Sequence, residues 1–317
     1  MSQHKQSKIL LGTISARIQG MRRCFQIIKK YRSFAQKHIT PSLSEFYSTE
    51  QKKWTGTRIR KWPEFAYCIE RIKTYYSESK TPIHIVELGC GDGRFAQSLD
   101  EELDPGTYTY VGVDASSGLI NYAKSRTYNH PTHFIIGDMG AYLKTLDESS
   151  IDIIISIASI QHLHRTIRQP LRNEVYRVLK YEGFHISINW SWSGRMITKH
   201  RPSILAHIVL LIINHRTFSR GDLMIPFTTI QQSQHINMRG NHATLGKKRG
   251  IDNQNHWIYF RFYHLFRLQT LCHMAQYAGL VVPEKGYMNN NGRIDQTRYK
   301  SKNSIILASK SVYIESS

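Results

Sequence analysis

The residues best suited to chemistry lie in one short stretch, where an apolar run leads into a glycine-rich loop. The run Ile83–Leu88 continues directly into Gly89-Cys90-Gly91-Asp92-Gly93, and residues 94–99 then predict a helix. Glycines at alternate positions let the backbone turn sharply and approach a ligand with no Cβ in the way. The helix N-terminus beyond them offers free N–H groups and the positive end of a dipole. Such a loop can hold a nucleotide-like cofactor.

Two aspartates, at the ends of the second and third apolar runs, indicate which class of cofactor the loop would bind. A dinucleotide fingerprint is G-x-G-x-x-G, whereas this loop is G-x-G-x-G. Asp114 ends the second run, where a carboxylate can accept hydrogen bonds from ribose hydroxyls. Asp138 follows the third run. An ordinary tight turn remains an alternative for the glycines, and a turn or N-cap role remains one for Asp138.

Loop and aspartates in this order resemble the motifs of class I S-adenosylmethionine (SAM) methyltransferases. In that family the acidic residue at the position of Asp138 lies on the adenine amino group. The resemblance implies SAM as the cofactor. Its expected contacts are Glu87, Gly89, Gly91, Gly93, Asp114, Asp138 and Met139.

Alternating strand and helix patterns position these residues. Strands are predicted at 83–88, 108–113, 132–136, 151–157, 183–189, 280–282 and 304–308. Helices are predicted at 64–76, 94–99, 118–126, 141–146, 165–179, 204–213 and 268–278. The alternation predicts an α/β fold with a doubly wound, mostly parallel, Rossmann-like sheet, whose ligands lie at the C-terminal strand ends. An insertion at about 190–256, partly disordered around 237–253, is expected before the last strands.

The first 44 residues contain no acidic residue and carry apolar residues at helical spacing. They predict a basic helical extension ahead of a methyltransferase domain at 45–317. Three uses remain open: an RNA-binding arm, a helix that packs on the catalytic domain, and an organelle transit peptide. The segment 52–63 lies just upstream of the first strand, so it can fold back as a lid over the cofactor.

Charge and composition limit the partners. The formal net charge of +20 and the isoelectric point near 9.8 favour a polyanion, although general solubility or a basic proteome would also account for them. Basic and aromatic residues interleave at 52–62, 259–267 and 287–302, a mixture that suits RNA. The sequence predicts no membrane span and no secretory signal. Four scattered cysteines without C-x-x-C predict neither disulfides nor a zinc site, and therefore an intracellular, cytoplasmic setting unless residues 1–44 are a transit peptide.

Several patches together resemble the tRNA wobble-uridine methyltransferases that esterify 5-carboxymethyluridine. They are Thr57-Arg58 with Trp62-Pro63, the cofactor loop, residues 155–158 with His162, residues 177–180, residues 222–227, residues 261–266 and residues 302–304. The resemblance implies tRNA, at its anticodon region, as the substrate. It also implies that a small zinc-binding activator subunit can cover an exposed apolar edge of the sheet.

This chemistry needs a cation more than a base. Methyl transfer is an in-line displacement, and a carboxylate nucleophile is already ionised at pH 7. A planar, always-charged arginine suits the carboxylate, and the candidates are Arg58, Arg165 and Arg261. Tyr263 and His264 could stack on or hydrogen-bond the flipped base.

Other roles remain open for these residues. Arg58 and Arg165 could bind phosphate or lie on solvated faces, and His162 fits a capping or packing role better than that of a proton carrier. Two other functions are also compatible with the sequence. One is a methyltransferase of a small metabolite such as a quinone or carboxylic acid, and the other is an inactive, cofactor-binding RNA-binding protein.

Overall fold

The computed structural model describes residues 21–22, 25, 44, 46–48, 62–79, 82–212, 219–230, 256–289, 292–295 and 303–311. Most of the predicted N-terminal extension, the predicted lid except Trp62 and Pro63, and Arg58 lie outside these ranges. So does the predicted disordered stretch 237–253.

Strands and helices alternate through the first half of the described chain. The strands are β1 (Ile83–Leu88), β2 (Tyr108–Asp114), β3 (Thr132–Ile136), β4 (Ile151–Ile157), β5 (Leu179–Trp190), β6 (Asp222–Ile230), β7 (His256–His264), β8 (Val281–Met288), β9 (Ile294–Asp295) and β10 (Asn303–Ser309). The helices are α1 (Pro63–Ser79), α2 (Arg94–Asp100), α3 (Ser117–Lys124), α4 (Met139–Lys144), α5 (Arg165–Val178), α6 (Gly194–Lys199), α7 (Arg201–Ile212) and α8 (Leu268–Tyr277), with a 3₁₀ turn at Ile160–His162. Within these ranges every helix is too short or too polar to cross a membrane.

Eight strands form one sheet in the order β3-β2-β1-β4-β5-β10-β8-β9. Strands β1 to β5 are parallel, while β10 runs antiparallel to both β5 and β8. Because the order reverses between β1 and β4, the carboxyl ends of these two strands flank a crevice where ligands bind in such sheets. The predicted doubly wound, mostly parallel α/β fold is confirmed.

Helices cover both faces of this sheet, so its central strands are largely buried and rich in apolar residues. All seven residues of β4 are buried. On one face α1 and α2 contribute Ile72 and Phe95 to the core, and on the other α5 and α8 contribute Leu171 and Leu271. A parallel strand covered on both sides requires the continuous apolar run that the sequence shows here.

Two predicted strands are longer in the structure, and both extensions contain residues that weaken a strand pattern. β5 begins at Leu179 instead of 183, through an irregular stretch in which Glu182 has φ 68°. β8 continues to Met288 through Pro283, and charged residues follow that proline. Proline and charge are tolerated there because β8 lies near the sheet edge.

A separate pair of strands, β6 and β7, was not predicted, since residues 259–266 were expected only to lead into a helix. The two strands pair antiparallel from Asp222 opposite His264 to Ile230 opposite His256. The hairpin is fixed to the main sheet because Phe266 donates its N–H to the carbonyl of Trp190 at 2.9 Å.

One buried carboxylate joins α1, β1 and β5 at the edge opposite the cofactor loop. Asp152 on β4 accepts hydrogen bonds from the His84 N–H at 2.8 Å and from the Tyr75 hydroxyl at 3.3 Å. It also pairs with the ammonium group of Lys180 at 2.9 Å. The carboxylate therefore helps to set the register in which β1 carries its loop to the crevice.

We expect Asp152→Ala to lower the free energy of unfolding by about 2 kcal/mol, because it leaves a partly buried N–H and a partly buried ammonium group without their acceptor. Urea denaturation followed by circular dichroism measures the change. The exposed Asp147 provides the matched control, and Asp147→Ala is expected to change stability by less than about 0.5 kcal/mol. Equal losses in the two variants would contradict the role of Asp152.

Candidate active site

The glycine loop between β1 and α2 has the left-handed backbone that only glycine adopts without strain. Gly89, Gly91 and Gly93 have φ of 80°, 56° and 74°. A Cβ on Gly89 would lie 2.3 Å from the Cβ of Ser159, so packing also excludes a side chain there. At Gly91 the nearest atom would be 4.0 Å away. The space over Gly91 is therefore open, which fits a ligand that approaches the backbone.

Asp114 at the end of β2 is held in place by the backbone around it. Its two carboxylate oxygens accept the N–H of Gly91 at 3.0 Å and the N–H of Ser116 at 2.8 Å. Burial raises the pKa of Asp114, and these two donors act in the opposite direction. Each oxygen keeps a further lone pair, so the predicted contacts to ribose hydroxyls fit this geometry.

Glu87 lies beneath the loop and is 3% exposed. The hydroxyl of Tyr110 on β2 donates a hydrogen bond to it. Burial raises the pKa of Glu87 to about 8, an effect that Tyr110 and the Arg94 guanidinium partly offset. Glu87 is thus protonated at neutral pH and supports the loop from the protein interior.

Asp138 and Met139 lie at the start of α4. Asp138 is the N-cap of this helix, since its side chain accepts the Ala141 N–H at 2.8 Å. The N-cap role left open by the sequence is confirmed. Met139 is partly buried against the apolar core. Their contacts to the adenine ring stay predictions.

Sequence reasoning missed a charged pair inside the loop itself. Asp92 is 2% exposed, and one of its oxygens accepts the Arg94 Nε–H at 2.9 Å. Its other oxygen has no hydrogen-bond partner within the described ranges. The Arg94 guanidinium lies 4.8 Å from the ring centre of Trp62. A buried carboxylate oxygen of this kind suits an ammonium group, such as that of the amino-acid part of SAM.

Residues 44 and 46–48, ahead of α1, pack beside the cofactor site. The Ser44 hydroxyl donates to the carbonyl of Ala115 at 2.6 Å, and the Ser48 hydroxyl lies 3.1 Å from that of Ser116. Both contacts fall directly after Asp114. The segment thereby brings Phe46 and its neighbours next to the crevice.

Arg261 and Tyr263, two of the predicted catalytic residues, lie together on one face of β7. The Arg261 guanidinium is 5.3 Å from the ring centre of Phe46 and 5.4 Å from that of Tyr263. Tyr263 stacks on Trp190 with ring centres 4.5 Å apart and planes at 7°. The ring of His162 is also 4.5 Å from that of Tyr263. We name these five residues the aromatic pocket.

The imidazole of His162 is neutral in this pocket. Burial, with a smaller contribution from the charge of Arg261, lowers its pKa to about 4. Its Nδ1 lies 2.8 Å from the carbonyl oxygen of Phe262. A carbonyl only accepts, so the proton is assigned to Nδ1 and Nε2 carries the lone pair. The bond also fixes the hairpin to the turn after β4, as expected for a packing histidine.

Arg165 and His264 are not in the aromatic pocket. Successive side chains of a strand point to opposite faces, so His264 faces away from Tyr263. Its Nδ1 lies 2.6 Å from a carboxylate oxygen of Asp222 on β6. Both predicted residues line a separate cavity of about 360 Å³ with Arg168. Of the five predicted catalytic residues, the structure thus brings two together, places two elsewhere and does not describe Arg58.

The pKa of Glu87 makes stability depend on pH. Between its ordinary value and about 8, the folded state keeps the proton and the unfolded state loses it. The free energy of unfolding of the ligand-free protein therefore falls as pH rises through this window, by at most about 1.4 kcal/mol per pH unit.

We expect Glu87→Gln to remove this fall, because the amide stays neutral at every pH. Urea titrations from pH 5 to 8.5 measure the effect. Glu70→Gln, at an exposed position on α1, is the control and is expected to follow the wild-type profile. Parallel profiles for Glu87→Gln and the wild-type protein would overturn the assignment of a raised pKa to Glu87.

Residues 85–183 match the profile of the methyltransferase domain family. The malonyl-[acyl-carrier protein] O-methyltransferase of Priestia megaterium is 35% identical over 104 residues, which are 32% of this chain and 34% of that protein. A second enzyme of this name, from Ilyobacter polytropus, is 28% identical over 115 residues, 36% of this chain and 40% of its own length. The chain thus spans well under half of these curated relatives.

Solved structures agree on the fold. A complex between the Trm112 methyltransferase activator of Haloferax volcanii and a methyltransferase contains a chain with a TM-score of 0.51 and 13% identity, over 85% of this chain and 98% of that one. A SAM-dependent methyltransferase of Methanosarcina mazei has a TM-score of 0.50 and 15% identity, over 73% of this chain and 93% of its own. The profile match, the order of the sheet and the fitted loop lead to one conclusion: residues 85–183 lie in a domain with the class I methyltransferase fold, whose cofactor is SAM.

Proposed function

We propose that the protein is a SAM-dependent tRNA methyltransferase that esterifies the carboxylate of a carboxymethyl-type wobble uridine. One observation carries the proposal: the guanidinium of Arg261 lies among aromatic rings of the aromatic pocket, beside the segment that contacts the end of β2. Arginine binds a carboxylate through two parallel hydrogen bonds, and aromatic faces stack on a base.

The residues of the pocket account for the reaction without a base. Bound SAM would supply a methyl group on a positively charged sulfur. A carboxylate oxygen would form the new bond to the methyl carbon as the carbon–sulfur bond broke, with that electron pair kept by sulfur. No proton moves in this step. Arg261 has only to hold the carboxylate in line, and its charge is kept because the nearby tyrosines Tyr263 and Tyr47 raise its pKa against the effect of burial.

The aromatic rings provide for the base that carries the carboxylate. Trp190 and Tyr263 are already stacked on each other, which holds their planes parallel. Tyr263 is buried and Trp190 is partly exposed, so Trp190 is the ring of this pair that a base can reach. A base extruded from a loop loses its stacking energy, and an aromatic platform returns part of it. The anticodon loop of tRNA presents such a base in a single strand, and the net charge of +20 favours this polyanion.

A small carboxylic acid is the second candidate substrate, and a specific observation favours it. Two relatives are named as O-methyltransferases of a malonyl group, which itself carries a carboxylate. The role of Arg261 would be the same in that reaction. The two candidates differ in whether RNA or a small molecule receives the methyl group, so a product assay separates them.

We also propose a small zinc-binding activator subunit as a partner at the sheet edge formed by β3. This strand is outermost in the sheet, and Ile136 at its end is 49% exposed. The likeness to a methyltransferase chain from a complex with the Trm112 activator supports the proposal. An open strand edge with an exposed apolar residue is a ready surface for a partner strand.

The first test uses labelled SAM and bulk tRNA pretreated with mild alkali, which hydrolyses existing methyl esters. We expect alkali-labile label in tRNA, and mass spectrometry of nucleosides should find the new ester on a wobble uridine. Arg261→Ala is expected to lower the rate about 100-fold, because a charge-assisted contact to the carboxylate is lost, while SAM binding is unchanged. Arg293→Ala, at an exposed position in the turn between β8 and β9, is the control with an expected wild-type rate.

Other outcomes of this assay would contradict parts of the proposal. Alkali-resistant label in tRNA would overturn the ester but keep an RNA methyltransferase. Label on added malonyl or other small carboxylic acids, with none on tRNA, would establish the second candidate. Bound SAM without any label, in the presence of the activator subunit, would establish the inactive RNA-binding protein.

The partner proposal predicts that Ile136→Lys abolishes co-elution with the activator subunit in gel filtration, since a charge would be buried at the contact. Val281→Lys is the matched control, because Val281 is 42% exposed and lies on β8, at the other side of the sheet. Complex formation is expected to survive in this variant. Co-elution of both variants, or of neither, would contradict an interface at β3.

A further inference from the structure

The cavity lined by Arg165 and His264 takes no part in the proposed reaction. It measures about 360 Å³, and its lining contains four arginines but no carboxylate among the described residues. These are Arg165, Arg168, Arg220 and Arg267. We name this cavity the arginine cleft. Four guanidinium groups around one cavity repel each other unless an anion lies between them.

At the base of the arginine cleft, Arg168 is buried without sufficient compensation. It is 3% exposed, and its Nη1 has no hydrogen-bond partner in the described part of the chain. The nearest carboxylate oxygen, on Asp222, is 3.9 Å from its Nη2. That carboxylate is already engaged by His264 at 2.6 Å and by the Ser219 N–H at 2.7 Å. Arg168, which lines the cavity, therefore keeps a hydrogen-bond donor unused by the described residues.

A second buried guanidinium one helical turn further along α5 increases the excess charge. Arg172 is fully buried, and none of its three nitrogens has a hydrogen-bond partner among the residues described. Burial lowers the pKa of Arg172 to about 10, and the charge of Arg168 adds to the effect. Two buried cations with one engaged carboxylate leave a net positive charge, which an anion in the cleft would balance.

Two helices have their N-termini, the positive ends of their dipoles, at the arginine cleft. Arg165 is the first residue of α5, and Arg267 is the N-cap of α8. The positive ends of two helix dipoles thus coincide with the arginine side chains. Thr270, in the first turn of α8, adds a hydroxyl to the lining. Backbone N–H groups, a hydroxyl and planar guanidinium forks are the donors that bind phosphate groups.

We infer that the arginine cleft is a second binding site, which takes a phosphodiester group of the RNA backbone while the base occupies the aromatic pocket. The inference rests on the proposed RNA substrate. Tyr263 of the aromatic pocket and His264 of the arginine cleft are consecutive residues of β7 that face opposite ways. One nucleic-acid strand that passes over the end of β7 can therefore reach both sites.

The test measures binding of a labelled anticodon stem-loop RNA by fluorescence anisotropy between 50 and 300 mM salt. Arg220 and Arg267 are exposed, so Arg220→Gln/Arg267→Gln removes two charges at the rim without disturbing the fold. We expect binding about tenfold weaker at 100 mM salt, with a salt dependence shallower by roughly 1 to 2. The control, Arg126→Gln/Arg293→Gln, removes the same charge outside the lining and is expected to weaken binding less than about threefold.

Three results would overturn the inference. Equal weakening in both double variants would show a general effect of charge. An unchanged salt dependence in Arg220→Gln/Arg267→Gln would show that the cleft makes no phosphate contact. Thermal stabilisation by inorganic phosphate that is lost in this variant, with RNA affinity unchanged, would assign the cleft to a free phosphate group.

Methyl transfer is measured separately, so that failure of the cleft and failure of the proposed function can be told apart. RNA binding that depends on the cleft, without transfer to tRNA, would keep the cleft and reject the proposed reaction. Esterified tRNA, with equal RNA affinity in the wild-type protein and both double variants, would keep the reaction and reject the cleft. SAM binding should be unchanged in every cleft variant.

Discussion

The pairing of β1 with β2 is the constraint on which the site depends. This register places the Gly91 N–H against the Asp114 carboxylate, so two segments 23 residues apart become one cofactor surface. The bond needs the left-handed backbone at Gly91, which in turn needs a residue without Cβ. The Asp114 carboxylate therefore holds the loop through a backbone N–H group, and the remaining lone pairs of its oxygens stay available for the ligand.

Beneath this surface the protein keeps its ionisable groups in unusual states. Glu87 is protonated in the interior, whereas His162 is neutral in the aromatic pocket. Burial is the largest cause of both pKa shifts. Next to the aromatic rings, Arg261 provides a full cation. A carboxylate that enters such surroundings is attracted to this charge.

The sequence was sufficient to predict structure where the pattern that determines it is local in the chain. The strand β4 is buried on both faces, so its apolar run was clear, and the motif glycines mark turns that no other residue makes easily. It was insufficient to predict contacts between segments that only folding brings together. The hairpin of β6 and β7 joins segments far apart in the chain, and its alternation places the side chains of Tyr263 and His264 on opposite faces. Asp92 and Arg168 were missed because burial, not residue type, gives them unsatisfied polar atoms.

The alternation along β7 also has a consequence for how this chain can vary. One strand presents Arg261 and Tyr263 to one side, and Phe262 and His264 to the other. Deleting a single residue within β7 would exchange the two faces, so that each cavity would receive the side chains of the other. The length of this strand is therefore more constrained than the identity of most of its residues, and substitutions are the changes that homologous chains can accumulate there.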